Sequence, residues 1–169
     1  MRFAENGTTV ASIDVAAYVD QIHLVRSCDL MLVKHEPYSC RPILAHASGD
    51  LVSDSNPAKA GEEVVLYAVG LGPIAPGTNS PRFRVSFDFR PDALASRPLL
   101  NSDRPAFAGL TQGFQGLYQI NVVIPSLPPG TPACTLNNPG LQPIGTNLTV
   151  NVGGPLSFDG IGICVAPGP

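Results

Sequence analysis

The stretch RFRVSFDFR, residues 82–90, alternates without a break. Phe83, Val85, Phe87 and Phe89 fall on one side, and Arg84, Ser86, Asp88 and Arg90 on the other. A period of two belongs to a β-strand with one wet face, because successive side chains of a strand point to opposite sides of its sheet. Similar segments recur along the chain. In LYQINVVI (117–124), Tyr118, Ile120, Val122 and Ile124 share one face, and Gln119 and Asn121 take the other. NLTVNV (147–152) turns Leu148, Val150 and Val152 inward. EEVVLYAVG (62–70) is a continuous apolar run, expected to be buried on both faces or nearly so. TTVASIDVAAYVDQIHLV (8–25) supplies one or two strands, and GIGICVA (160–166) closes the chain. Asp159–Gly160 is expected to turn between the last two strands. Helical periodicity is confined to PDALAS (91–96), a single turn at most.

Nothing alternates strand with long helix, so a parallel α/β sheet is not expected. The pattern predicts an all-β fold, an antiparallel Ig-like β-sandwich. Composition agrees. Gly 17 and Pro 18 together suit many short strands joined by tight turns, and stay below the roughly 25–30% that marks disorder. A hydrophobic fraction of 44% is enough for a core. The expected division is residues 1–40 as the tail of a preceding β unit with its linker, and residues 41–169 as the sandwich.

Cys28, Cys40, Cys134 and Cys164 form two separated pairs. Four cysteines allow three connectivities; local pairing, Cys28 with Cys40 and Cys134 with Cys164, is the expectation. A metal site is the competing possibility, since His23, Cys28, His35 and Cys40 are spaced H-x4-C-x6-H-x4-C. Zinc sites place two ligands on one tight knuckle, which this spacing does not do. Disulfides are favoured over metal and over free thiols, and they point to an oxidising compartment. The opening MRFAENGTTVAS has no charged-then-apolar leader pattern, so a leader is expected upstream. A net charge of −3 argues against nucleic acid, which needs a basic surface. No apolar run approaches the roughly 20 residues of a membrane helix.

Chemistry-bearing motifs are sparse. GLGPIAPG (70–77) lacks the helix a dinucleotide fingerprint must open, because Pro73 and Pro76 forbid it. No G-x-S-x-G elbow is present for a hydrolase serine. His23, His35 and His46, with Asp29 and Asp50 the nearest carboxylates, are expected to be structural or solvent-facing. Asp50 with Asp54, and Asp88 with Asp92, supply too few oxygens for calcium. No cofactor is expected. Arg82, Arg84 and Arg90 belong to an arginine-rich stretch that could hold an acidic glycan, against the plainer reading of a solvated strand face. Gly109, Gly113 and Gly116 precede a strand and not a helix, so they are expected to permit turns and not to cradle phosphate.

Three phrases together resemble a known family: NPAKAGEEVVLYAVGLGP (56–73), FAGLTQGFQGLYQINVVIPSLPPGTPAC (107–134), and NLTVNVGG with SFDGIGICV (147–165). They are similar to the C-terminal domain of large exported proteins common in Acidobacteria, chiefly the Solibacter group. The matching blocks run from about His46 to Val165 in the family's order. The resemblance implies an Ig-like, TIG-related sandwich at the end of a secreted or surface-attached protein, with no defined biochemical activity. It implies the other domains of that protein as partners, and a glycan or protein at the cell surface as a further one. The expectation is therefore a non-catalytic structural or interaction module. The alternatives are a carbohydrate-binding module, weakened by the absence of Trp, and a small hydrolase.

Overall fold

The computed structural model describes residues 2–5, 8–12, 21–30, 42–71, 82–89, 102–131, 134, 147–153 and 157–167. These residues form an all-β, antiparallel sandwich of two packed sheets. The strands are β1 (Arg2–Glu5), β2 (Thr8–Ser12), β3 (His23–Leu24), β4 (Leu44–His46), β5 (Glu63–Val69), β6 (Phe83–Phe87), β7 (Phe107–Leu110), β8 (Tyr118–Val123), β9 (Leu148–Val152) and β10 (Phe158–Ile161). β1 and β2 pair with each other. The larger sheet runs β3-β5-β8-β7, with β4 also on β5, and the smaller runs β10-β9-β6.

The inward faces follow the alternation. Tyr118, Ile120, Val122 and Ile124 are buried, as are Leu148, Val150 and Val152. They meet Phe83 and Val85 of β6, and the rings of Phe83 and Tyr118 lie 6.4 Å apart across the sandwich. Each such side chain contributes about 1.5–3 kcal/mol by leaving water. β5 departs from the expectation of a strand buried on both sides. Val64, Leu66 and Ala68 are buried, but Val65, Tyr67 and Val69 are only half-buried, because nothing among the described residues forms a third layer over them. β6 departs the other way: Ser86 is buried, and Phe87 and Phe89 are partly exposed.

β3 and β4 form one edge strand. His23 and Leu24 face Val69 and Ala68, the Val25 amide donates to the Tyr67 carbonyl (2.9 Å), and Leu44 then faces Leu66. Between β3 and β4 an excursion opens at Arg26 and closes at Ile43, tied at its base by the Arg26–Pro42 bridge and the Ile43 amide on the Val25 carbonyl (3.0 Å). Inward and outward sides are kept in step across the excursion, with Leu24 in, Val25 half-exposed and Leu44 in. Residue 40, where a boundary is expected, lies outside the described residues; His23–Leu24 pairs with the sandwich sheet. The excursion begins with a 3-10 turn, Ser27–Leu30, for which the sequence showed no helical period.

Two other details differ from expectation. Asp159 and Gly160 lie inside β10, paired with Val150 and Thr149, and the chain reverses before Ser157. Asp-Gly is a turn former only when nothing else uses it; here the Asp159 carboxylate accepts the edge amide of Leu24 (2.9 Å), beside a Ser157 hydroxyl accepting from Ile22 (3.3 Å). Side chains of β10 and of Ser157 just before it thus occupy backbone donors of the neighbouring sheet edge, which would otherwise invite another strand. Gly109 is likewise in a strand, opposite Gln119, whereas Gly113 and Gly116 do take positive φ (82° and 77°) in the β7–β8 hairpin. The helical turn suggested at residues 91–96 lies outside the described residues.

Candidate functional site

The groups of interest fall in five regions. At the chain's end Cys134 and Cys164 are disulfide-bonded, with Cα atoms 5.0 Å apart. Beside them Ala58 donates to the Cys164 carbonyl and accepts from the Ala166 amide (3.0 and 2.8 Å), the one parallel bridge among the described residues. Cys28 is also disulfide-bonded, and Cys40, its expected partner, lies outside the described residues. Among the described residues no group of three His, Cys, Asp or Glu side chains could hold a metal ion. Nor is there a helix long and apolar enough to cross a membrane.

At the mouth of the excursion, His23 stands between two carboxylates. Its Nε2 is 2.8 Å from Asp29 and its Nδ1 3.3 Å from Asp159. Arg26 closes the group: its guanidinium donates to Asp159 (3.1 Å) and to the Gly160 carbonyl (3.0 Å), and its amide donates to Asp29 (2.7 Å). Burial pushes Asp29 upward, but the Arg26 amide and the His23 ring outweigh it and hold the carboxyl below its ordinary value. The cluster ties β3, the 3-10 turn and β10 together.

His46, at the end of β4, joins its Nδ1 to Glu62 and its Nε2 to the Asn56 carbonyl (3.1 Å). Lys59 donates its amide to the other Glu62 oxygen (2.9 Å), and Gly61 takes φ 80° in the turn closed by Glu62 on Lys59. This explains the PAKAGE segment: alanine packs at the bridge, glycine supplies the positive φ a type II turn needs, and glutamate binds turn to edge strand. The Glu62 hydrogen bond raises His46 above an ordinary imidazole, burial opposes it, and the Asn56 carbonyl adds to the rise. For Glu62 burial pushes upward, but His46 and the Lys59 amide outweigh it and hold the carboxyl low.

A raised histidine stabilises the fold fully below its unfolded value, 6.5, and loses that as pH climbs through the folded value. A lowered carboxyl stabilises fully above its unfolded value, 4.5, and loses that as pH falls through the folded value. The stability difference between the protein and its His46→Gln variant is therefore expected to be largest between pH 4.5 and 6.5. It should be about 1 kcal/mol there and shrink on both sides. Urea unfolding at several pH values measures it; a difference constant with pH would contradict the pairing.

The fourth region is an open cleft of about 550 Å³. The stacked rings of Phe87 and Phe89 (centroids 5.8 Å apart), Pro125 and Pro128 line it, with Asp88 and Thr131 as polar neighbours. Thr131 spends its hydroxyl on the Pro128 carbonyl (2.7 Å). Arg82 and Arg84, suggested as glycan contacts, do not line the cleft. Arg82 is exposed at the start of β6, Arg84 donates to the Phe83 carbonyl (2.8 Å), and Arg90 lies outside the described residues. Asp50 accepts from Ser48 (2.9 Å) and Asp54 from the Ser55 amide (3.0 Å), each within its own loop. His35 and Asp92 lie outside the described residues.

The fifth region is the outward face of the larger sheet. Gln119 donates to Asn121 and Asn121 to Glu63, each at 2.8 Å, between the half-buried rings of Tyr67 and Phe107. Sequence alternation places Gln119 and Asn121 on this face; their link to Glu63 depends on the β5–β8 register, where Glu63 faces Val123 and Val65 faces Asn121. Compared with models of protein families, with curated proteins and with solved structures, the chain finds no match in any of the three.

Proposed function

We propose that this chain is a non-catalytic structural or interaction module, the Ig-like, TIG-related C-terminal sandwich of a larger exported bacterial protein of the kind common in Acidobacteria. Its place is outside the cell or on its surface, beside the other domains of the same protein. One observation carries the non-catalytic part. Both histidines among the described residues are held by their neighbours: His23 is hydrogen-bonded to Asp29 and lies 3.3 Å from Asp159, and His46 is bonded to a carboxylate and a carbonyl. Neither is hydrogen-bonded to a hydroxyl or thiol, as a nucleophile–base pair requires. These groups act as struts between chain segments. The Cys134–Cys164 bond supports an oxidising compartment.

Incubation with a panel of ester, peptide and glycoside substrates tests this. Turnover is expected to equal that in buffer; turnover abolished by His23→Gln or His46→Gln would overturn the proposal. Carbohydrate binding is the second reading. It is favoured by aromatic rings that the alternation assigns to the core but the structure leaves partly exposed, Phe87 and Phe89.

A further inference from the structure

The outward face of β5, β8 and β7 is ordered in rows by the strand register. Tyr67, Gln119 and Gly109 make one row; Val65, Asn121 and Phe107 make the next; Glu63 and Val123 make the third. Neighbouring strands are about 4.8 Å apart and successive rows about 7 Å. Gln119 and Asn121 form a central polar stripe. Tyr67 flanks it on one side and Phe107 on the other, roughly 12 Å apart on that grid. Gly109, opposite Gln119, adds no side chain to the row.

The polar stripe is fixed in place but not used up. Gln119 gives one N–H to Asn121, and Asn121 gives one N–H to Glu63. By the inventory of these side chains, Gln119 keeps its carbonyl oxygen and a second N–H, Asn121 a second N–H, and Glu63 its other carboxylate oxygen. Donors and acceptors therefore alternate along a line whose geometry is set before any ligand arrives, which lowers the entropy cost of binding. Tyr67, Phe107, Val65 and Val69 are half-buried around the stripe, and Val123 is 48% exposed. A face held only for solubility would carry lysine or threonine in those places.

We propose that this face binds a neutral oligosaccharide, with sugar rings laid on Tyr67 and Phe107 and their hydroxyls bridging Gln119, Asn121 and Glu63. The chemistry selects that ligand. A sugar presents an apolar C–H face to an aromatic ring and paired hydroxyls that both donate and accept. Glu63 is the charged group of the three rows and carries the wrong sign for phosphate, sulfate or uronate. The site lies apart from the Arg82–Arg84 strand, so it is not the acidic-glycan site that the arginines suggested. It rests on the module's being a binder, and extends that reading by naming a ligand class and a surface.

The test titrates the full chain with gluco-, manno- and xylohexaose by calorimetry, followed by mass spectrometry of the sugars. Saturable binding of at least one is expected. Gln119→Leu and Tyr67→Leu, which keep side-chain bulk on the sheet, should each weaken it tenfold or more. Cooperative melting of each variant shows that the fold is retained, and Asn121→Ala serves if either leucine variant fails to fold. Absence of binding to all three sugars would overturn the assignment, as would binding insensitive to these substitutions. A face that instead pairs two copies of the chain, seen as a concentration-dependent dimer that excludes sugar, would overturn it too. Shortened sugars would overturn the non-catalytic reading while leaving the binding face in place, so the two failures are distinguishable.

Discussion

Gly70→Ala is expected to destabilise the fold by roughly 3–5 kcal/mol, combining positive-φ strain with overpacking. Gly70 ends β5 at φ 79°, and a β-carbon there would lie 2.0 Å from the Gln21 carbonyl oxygen and 3.1 Å from its carbon. The obstacle is backbone, which cannot swing aside as a side-chain tip can. It is also the backbone that pairs with Gly70, since the Gln21 amide donates to the Gly70 carbonyl (3.0 Å). Relief of the clash would peel Gln21 away and with it the start of the edge strand. Against a total stability of about 5–15 kcal/mol, such a loss is a large share. Gly49→Ala is the control, because Gly49 has φ 93° but nothing within 4 Å of its added carbon. It should cost only the backbone strain, about 1–2 kcal/mol. Denaturant unfolding of the two variants separates clash from strain; equal losses would contradict the packing of Gln21 on Gly70.

Removing the Cys134–Cys164 bond, as Cys134→Ser with Cys164→Ala, is expected to cost about 3.6 kcal/mol in the loop-entropy account, for a sequence separation of 30. Alanine is the choice at position 164, where only 5% of the residue is exposed and a hydroxyl would be buried. The bond also holds the segment that pairs with Ala58 in parallel, a bridge of just two hydrogen bonds. Loss of the bond should therefore loosen residues 163–166 first, readable as faster amide exchange at Ala166 than in β8. A variant as stable as the parent would show that the fold does not depend on this link.

Strand alternation carried most of the fold, because it reports directly on which face is dry. Tyr118, Ile120, Val122 and Ile124 lie where their spacing places them. What it missed depends on pairing between distant segments. The edge strand β3–β4 is two short pieces that only β5, far along the chain, brings into line. Asp159–Gly160 has the local chemistry of a turn, overridden because Asp159 is needed as an acceptor for Leu24 and Arg26, beside the ring of His23. The sheet-face stripe was half legible: the sequence shows Gln119 and Asn121 sharing a face, but not that Glu63, Tyr67 and Phe107 share it too.

Export of a disulfide-stapled sandwich whose ionisable clusters serve as struts is the centre of this account. The most direct measurement is thiol titration of the chain from its native host, unfolded without reductant and alkylated at harvest. The account predicts no reactive thiol among the four cysteines. Four reactive thiols would contradict it.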